Sequence, residues 1–500
     1  MRVSSMFFMG IDVGTTGCKA GIYDEKGRLI SKAYMEYPIE SRGHEMFEQS
    51  ADTWWSAVRK VIRSCLDHAR LTGEEVRGVA ISGQAPTIVP VDRDGNPLHR
   101  AILWMDRRAE KEVEELTEAI GDLAKLPLIP KIYWFKKRLP SIYEKSHKFL
   151  QTTDFITYKL TGKYVTDWYN ASCIGYLPDN ESPYIKVLTS LNIDPDKLPE
   201  VVKTGTPVGV VHEKAARETG LSRRTMVVMG SIDAFIAMLG CGCIRDGFAC
   251  DITGTSTCIM ISSSKRLYNR KHRFSSIKHL IEGLWIISAP ISTTGASLKW
   301  FKDNFGLLET TLKDILPEAD AYDLLIREGG VAEPGAGGLI FLPYLAGERS
   351  PIWDPNARGV FFGITLNHKR HHVIRALLEG CCLAAKHNLN ILTSLGVSIK
   401  KYRVCGGASK SDLWNKIKAD VLGMKIEKLL EHDASVLGAA IAAAVGSGYY
   451  SSFERACEKM VRVEKEYSPN LELKDLYDKL LDLYVELYER VKDLYPRIPK

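Results

Sequence analysis

Residues 7–30, FFMGIDVGTTGCKAGIYDEKGRLI, alternate strand, tight turn, strand, turn and strand. Gly14, Thr15, Thr16 and Gly17 make the first turn, Gly27 the second, and Asp12 sits in the strand that enters the first. Residues 248–262, FACDITGTSTCIMIS, repeat the grammar: Asp251 in a strand, a turn at Gly254, Thr255 and Ser256, then another apolar strand. One chain thus holds two acid-led copies of a hairpin.

The residue types suit an anion. Glycine lets the backbone approach closely, while neighbouring Thr and Ser hydroxyls and main-chain amides donate to phosphate oxygens. Asp12 would stand beside those oxygens, where a bare carboxylate is repelled unless a divalent cation intervenes; Mg²⁺ with several retained waters meets that need. A single Gly-Thr-Thr turn also closes hairpins that bind nothing. Two acid-led copies favour the phosphate reading. A third glycine cluster follows the strand YRVC, where Gly406, Gly407, Ala408 and Ser409 precede a helix capped by Ser411 or Asp412. Such a turn either serves tight packing or lets a nucleotide's sugar or base lie against the main chain. Neither the dinucleotide fingerprint nor the P-loop pattern is present.

Residues 227–242, VVMGSIDAFIAMLGCG, place one acid, Asp233, in an apolar, glycine-bounded segment. TMVVM reads as a buried strand and Asp233 as the start of a helix, whose amide groups favour its ionised form. Taken locally, it is a first-turn acid and no more.

Composition narrows the class. The 500 residues, 45% hydrophobic, suffice for two large cores, so two lobes are expected, 1–243 and 244–500, joined near the glycines of GCGCIRDG at 240–247. MRVSSMFFMGIDVG lacks a secretory pattern and the longest apolar run, VLGAAIAAAVG, falls far short of a bilayer span, so the expectation is a cytoplasmic protein without membrane partners. Eleven scattered cysteines without repeated C-x-x-C read as reduced, buried small hydrophobes. Lys plus Arg exceeds Asp plus Glu by 67 to 61, and the basic clusters NRKHRF and NHKRHH lack aromatic interleaving, so no nucleic-acid partner is implied.

In order and spacing, the motifs resemble those of the FGGY carbohydrate kinases, built on a duplicated actin-like ATPase (ribonuclease H-like) α/β fold with two lobes and a nucleotide and sugar cleft between them. The carriers are GIDVGTTGCKAGIYD, ISGQ with WMDRRA, DFITYKLTG, GSIDAFIAMLGCG, GTST, TTGASLKWF, LPYLAGERSPIWDPNARGVFFGI with RALLEG, and CGGASKSDLWNKIKADVLG. The resemblance implies ATP as phosphoryl donor and Mg²⁺ as metal. It makes Asp233 the catalytic base and puts Asp12 near the metal through water. Gly14, Thr15 and Thr16 match one phosphate loop, and Gly254, Thr255 and Ser256 the other. Gly295, Gly406, Gly407, Ala408 and Asn415 match segments around the phosphates and adenosine. Arg349, Asp354 and Arg358 are read as a polar network that shapes the second lobe.

For the small-molecule sugar or polyol, relatives use the loop after Gln84 and the Trp-x-Asp-Arg segment. Trp104 would stack on C–H groups, and Gln84, Asp106 and Arg107 would hydrogen-bond hydroxyls. Read without the family, Trp104 is core and Arg107 a helix-face charge. Ala85 and Pro86 depart from the Met-His of xylulokinases and the Arg-Glu of glycerol kinases, which removes two side chains from the pocket. Hydroxyls would then be read elsewhere, for instance by Asp167, Tyr169 and Asn170. The context leans to a xylulokinase-like branch and a ketopentose, with other polyols, hexuloses or sugar acids behind it. An actin-fold ATPase switch and a non-catalytic sugar sensor are the rival classes; the first has no need of Asp233, and the second is expected to lack Asp12 or Asp233. The oligomeric state stays open, a homodimer included.

Overall fold

A computed structural model describes residues 6–43, 45–176, 184–316, 318 and 320–499. The chain divides into two compact units, Met1–Gly242 with Ala434–Val461, and Cys243–Asp433 with Arg462–Lys500.

In the first unit the meander forms as its turns dictate: β1 (Phe7–Val13), β2 (Gly17–Asp24) and β3 (Leu29–Glu36) run antiparallel in sequence. On the other side of β1 lie β4 (Val76–Gly83) and β5 (Met226–Ile232), each parallel to its neighbour, giving the order β5-β4-β1-β2-β3. The second unit repeats this plan. Strands β6 (Phe248–Thr253), β7 (Thr257–Ser263) and β8 (Trp285–Ile291) are antiparallel, and β9 (Lys401–Cys405) and β10 (Ile426–Leu429) run parallel beside β6. The order β8-β7-β6-β9-β10 is that of the first unit strand for strand, as the duplicated actin-like fold requires. In both sheets the strand that leads into a Gly-Thr turn is central. Its residues are therefore covered on both faces, and β1 reads as a nearly unbroken apolar run rather than an alternating one.

Each unit has its own core. Met9, Ile11, Trp54, Val79, Ile81 and Phe155 belong to the first, and Ile259, Ile287, Phe341, Leu377, Tyr402 and Ile417 to the second. The expected linear boundary at 243/244 and these units differ at Cys243 and in one segment. Helix Ala434–Gly446 packs against β1, β4, β5 and helix Asp233–Gly240, so residues 434–461 complete the first unit although the chain reaches them late. The sequence ASVLGAAIAAAVG permits this because it is small and apolar all round. A Cβ on Gly438 would lie 2.0 Å from the carbonyl oxygen of Ile236, and one on Gly240 1.9 Å from that of Ala434, so the two helices meet backbone to backbone.

Candidate active site

In the first unit, register brings the predicted residues to one edge. Val13, Gly83 and Ile232 are partners across β1, β4 and β5, so Gly14, Gln84 and Asp233 all follow the carboxyl ends of parallel strands, where open α/β sheets bind ligands. Asp12 accepts hydrogen bonds from the hydroxyls of Ser82 (2.7 Å) on the adjacent strand and Ser435 (3.0 Å) on the returning helix. Asp233 is the first residue of its helix, and one oxygen accepts the N–H of Ala234 at 2.6 Å.

A helix start was expected to keep Asp233 ionised. The balance runs the other way: part of its surface is open, yet burial, and next the charge of Asp12, push its carboxyl up to about 7 against the Ala234 N–H. Two carboxylates brought to one sheet edge suit a Mg²⁺ that keeps its waters and asks the protein for one or two acids. Among the described residues no three or more His, Cys, Asp or Glu gather to form an all-protein metal cage.

The first Gly-Thr loop is oriented through its carbonyls. The Tyr37 hydroxyl donates to the Gly14 oxygen at 2.6 Å, the Gln49 amide to the Thr15 oxygen at 2.6 Å, and the Tyr37 N–H to the Thr16 oxygen at 3.1 Å. Among the described residues no backbone hydrogen bond is donated by the N–H groups of Thr15 and Thr16. Sequence reasoning missed Tyr37 and Gln49, and no local pattern marks them. Gln49 also receives the Trp54 indole N–H and the Gln84 amide, both at 2.9 Å. Gln84 is thereby buried behind the loop, with its Oε1 lacking a partner among the described residues.

The sugar-side residues separate into two sets. Trp104 is half exposed and its indole N–H reaches the Thr15 hydroxyl at 3.1 Å, so it belongs to this edge rather than to the core. Ala85 and Pro86 are partly exposed, as is Phe235, whose ring stacks on Tyr169 at 4.5 Å. Arg107 is largely exposed and 3.9 Å from Glu110. Asp106, by contrast, is buried and already holds Arg108 in a two-pronged pair and the Phe47 N–H, an arrangement that shapes the segment. Asp167 and Asn170 are likewise buried: Asp167 accepts from Ser231 (2.6 Å), Thr204 (3.0 Å) and Asn170 (2.6 Å). These two do not read hydroxyls but brace β5 just ahead of Asp233.

In the second unit, the turn Gly254–Ser256 is held by backbone. The N–H groups of Thr294 and Ala296 donate to the Thr255 oxygen at 3.2 and 2.9 Å. Gly295 and Gly406 are required by proximity, since a Cβ on either would come within 2.1 Å of the Gly254 oxygen or 2.6 Å of the Thr253 oxygen. A cavity of about 710 Å³ opens beside them, lined by Gly254, Thr255, Gly295, Gly407, Ala408, Tyr322 and Trp414 among others, a volume that suits a nucleoside. Asn415 is buried and spends its amide on the Ser409 oxygen at 2.7 Å, which fixes the 407–410 turn. Arg349 donates to the Ile291 oxygen and Asp354 accepts the Tyr488 hydroxyl, both inside this unit.

Comparison with known proteins bears on the same two units. Residues 7–240 match the N-terminal domain and residues 251–447 the C-terminal domain of the FGGY family of carbohydrate kinases. The chain belongs to that family. It is 29% identical over 489 residues to a xylulose kinase of Staphylococcus epidermidis, covering 95% of each chain. It is 28% identical over 504 residues to a gluconokinase of Bacillus licheniformis, covering 98% of this chain and 97% of the other. The crystal structure of xylulose kinase from Rhodospirillum rubrum superposes with a TM-score of 0.83 at 26% identity, covering 98% and 99%. This FGGY chain is an ATP-dependent carbohydrate kinase. No helix among its described residues is long and apolar enough to cross a membrane.

Proposed function

We propose that this kinase transfers the γ-phosphoryl group of ATP to a hydroxyl of a small sugar or polyol, a ketopentose such as xylulose first, with Asp233 as general base. The observation that carries the reading is the convergence of Asp233, Asp12 and the Gly14–Thr16 loop at the carboxyl edge of β5, β4 and β1. The acceptor hydroxyl gives its proton to Asp233 as its oxygen bonds to the γ-phosphorus, and the bond to the ADP oxygen breaks. A carboxylate whose proton affinity is raised toward neutrality accepts that proton more readily than an ordinary aspartate. Asp12 would hold Mg²⁺ through water, and the metal supplies charge neutralisation on the phosphates. The N–H groups of the two Gly-Thr turns would bind phosphate oxygens, and the cavity of the second unit would take the adenosine. Trp104 offers a face for sugar C–H groups. A cytoplasmic setting belongs to the same reading.

A sugar acid is the second reading, supported by the similarity to a gluconokinase and by Arg107, an exposed cation whose ion pair among the described residues spans 3.9 Å, which leaves it available to a carboxylate.

The test is an ATP-consumption screen over ketopentoses, other polyols, hexuloses and sugar acids, run on wild type and Asp233→Asn. The amide still hydrogen-bonds a hydroxyl but cannot take its proton. Turnover on the best acceptor should fall roughly 10²- to 10⁴-fold while calorimetric sugar affinity holds. Near wild-type turnover would reduce Asp233 to a helix-start residue. A sugar acid leading the screen would replace the ketopentose.

A further inference from the structure

Asp251, the acid of the second hairpin, does not face the cavity. It is 1% exposed, and the ammonium of Lys418, itself 7% exposed, donates to its Oδ2 at 2.6 Å. The Tyr402 hydroxyl donates to the same oxygen at 2.9 Å, and the Thr253 hydroxyl to Oδ1 at 2.5 Å. Thr253 and Thr257 are cross-strand partners with hydroxyls 2.8 Å apart, and between them runs the Gly254–Ser256 turn. Lys418 stands on helix Asp412–Leu422, one turn beyond Trp414, a residue that lines the cavity. The network therefore runs from both ends of a phosphate turn to the helix that walls the nucleoside cavity, and neither charged residue lines that cavity. Burial alone would discharge Lys418, but Asp251 outweighs it and holds the ammonium above the ordinary lysine range. Apolar side chains of similar volume would fill this space at less desolvation cost. What they would not do is fix one separation and one orientation.

We propose that Asp251 and Lys418 are positioning residues for ATP: their ion pair sets the spacing between the second phosphate turn and the adenosine-side helix without touching the nucleotide. This rests on the reading of the second unit as the ATP half. A displaced turn or helix within the second unit would appear in ATP terms and leave acceptor binding alone.

The test uses the full-length kinase with Lys418→Arg, Lys418→Met and the double variant Asp251→Asn/Lys418→Met. Lys418→Arg keeps the charge but changes its reach, and it guards against a failure of the others to fold. Each folded variant should raise the KM for ATP about tenfold, equivalent to ~1.4 kcal/mol, with the sugar KM unchanged. The double variant should recover the melting temperature lost in Lys418→Met and still show the raised ATP KM. Wild-type ATP KM in the folded variants, with only a lower melting temperature, would make the pair a core contact and overturn the proposal. Photolabelling of the wild type with an azido-ATP separates the underlying reading: label on Tyr322 or Trp414 upholds it, and label confined elsewhere sinks the nucleoside assignment whatever the variants do.

Discussion

The two Gly-Thr hairpins have the same backbone plan and opposite electrostatics. In both, a carbonyl of the Gly-Thr turn is captured from behind, by the Gln49 side chain at Thr15 and by the helix-start amides of residues 294 and 296 at Thr255. The acids that lead the turns differ. Asp12 takes hydroxyl donors from Ser82 and Ser435 and lies close enough to Asp233 to raise that residue's proton affinity. Asp251 is neutralised by a buried lysine. Asp12 stands two residues before its turn glycine and Asp251 three, so the two carboxylates lie on opposite faces of their strands and meet different neighbours. The deciding factor is what the neighbouring elements place against each.

The sharpest way to break this contrast is to remove each acid in turn. Asp12→Asn should lower turnover at saturating substrates by roughly 10²- to 10³-fold, the usual loss for one charge-stabilising group, with little change in melting temperature. Asp251→Asn leaves Lys418 buried without its counter-charge and should cost about 3–5 kcal/mol in chemical denaturation. Two variants that both lose only stability, or both only turnover, would erase the distinction.

Glycine substitutions sharpen it at intermediate size. In the second unit a Cβ on Gly295 would stand 2.1 Å from the Gly254 carbonyl, whereas one on Gly14 stands 3.2 Å from the Gly17 oxygen. Gly295→Ala should therefore cost about 1–3 kcal/mol by overpacking, and Gly14→Ala less, both read from urea unfolding. Equal costs would mean that the backbone-held turn is no tighter than the side-chain-held one.

The smallest expected effect is a difference in acid response. In the first unit burial pushes the Asp154 carboxyl up to about 7 from 3.8. The folded state therefore favours its protonated form, and the associated stability is full at low pH and lost as pH rises through 7. In the second unit burial, and next His272, push His387 down to about 4 from 6.5. Its contribution is full above 6.5 and lost as pH falls through 4. Hydrogen exchange around Asp154 should thus accelerate toward alkaline pH and around His387 toward acid, once intrinsic rates are corrected. Parallel responses in the two segments would refute this.

Much of the architecture was legible because hairpins and strand-to-helix turns are written in contiguous residues. The strands at 7–13 and 248–253, the helix start at Asp233 and the Ser411 cap all follow from local chemistry, and the cap accepts the Trp414 N–H as its position implies. What supports the loops was not legible, because Tyr37, just after β3, and Gln49, at the end of the strand Met46–Gln49, owe their role to tertiary placement. Asp106 looked available to a substrate, yet its partner Arg108 lies two residues away and satisfies it. Lys418 did leave a trace: a lysine four residues after Trp414 sits on the buried stripe of its helix, where an unpaired charge would be prohibitive.

The return of residues 434–461 to the first unit governs how the chain can be made. A ribosome releases Met1–Gly242 early, but the face of β1, β4 and β5 that helix Ala434–Gly446 covers stays bare until almost the whole polypeptide has emerged. During that interval the nascent first unit exposes an apolar, sticky surface while the second unit is being synthesised. A fragment ending at Gly242 would face the same exposure permanently and should partition into aggregates, whereas adding residues 434–461 in trans, or splicing them on by circular permutation, should restore its solubility. The half begun first is finished only when most of the other half has already been made.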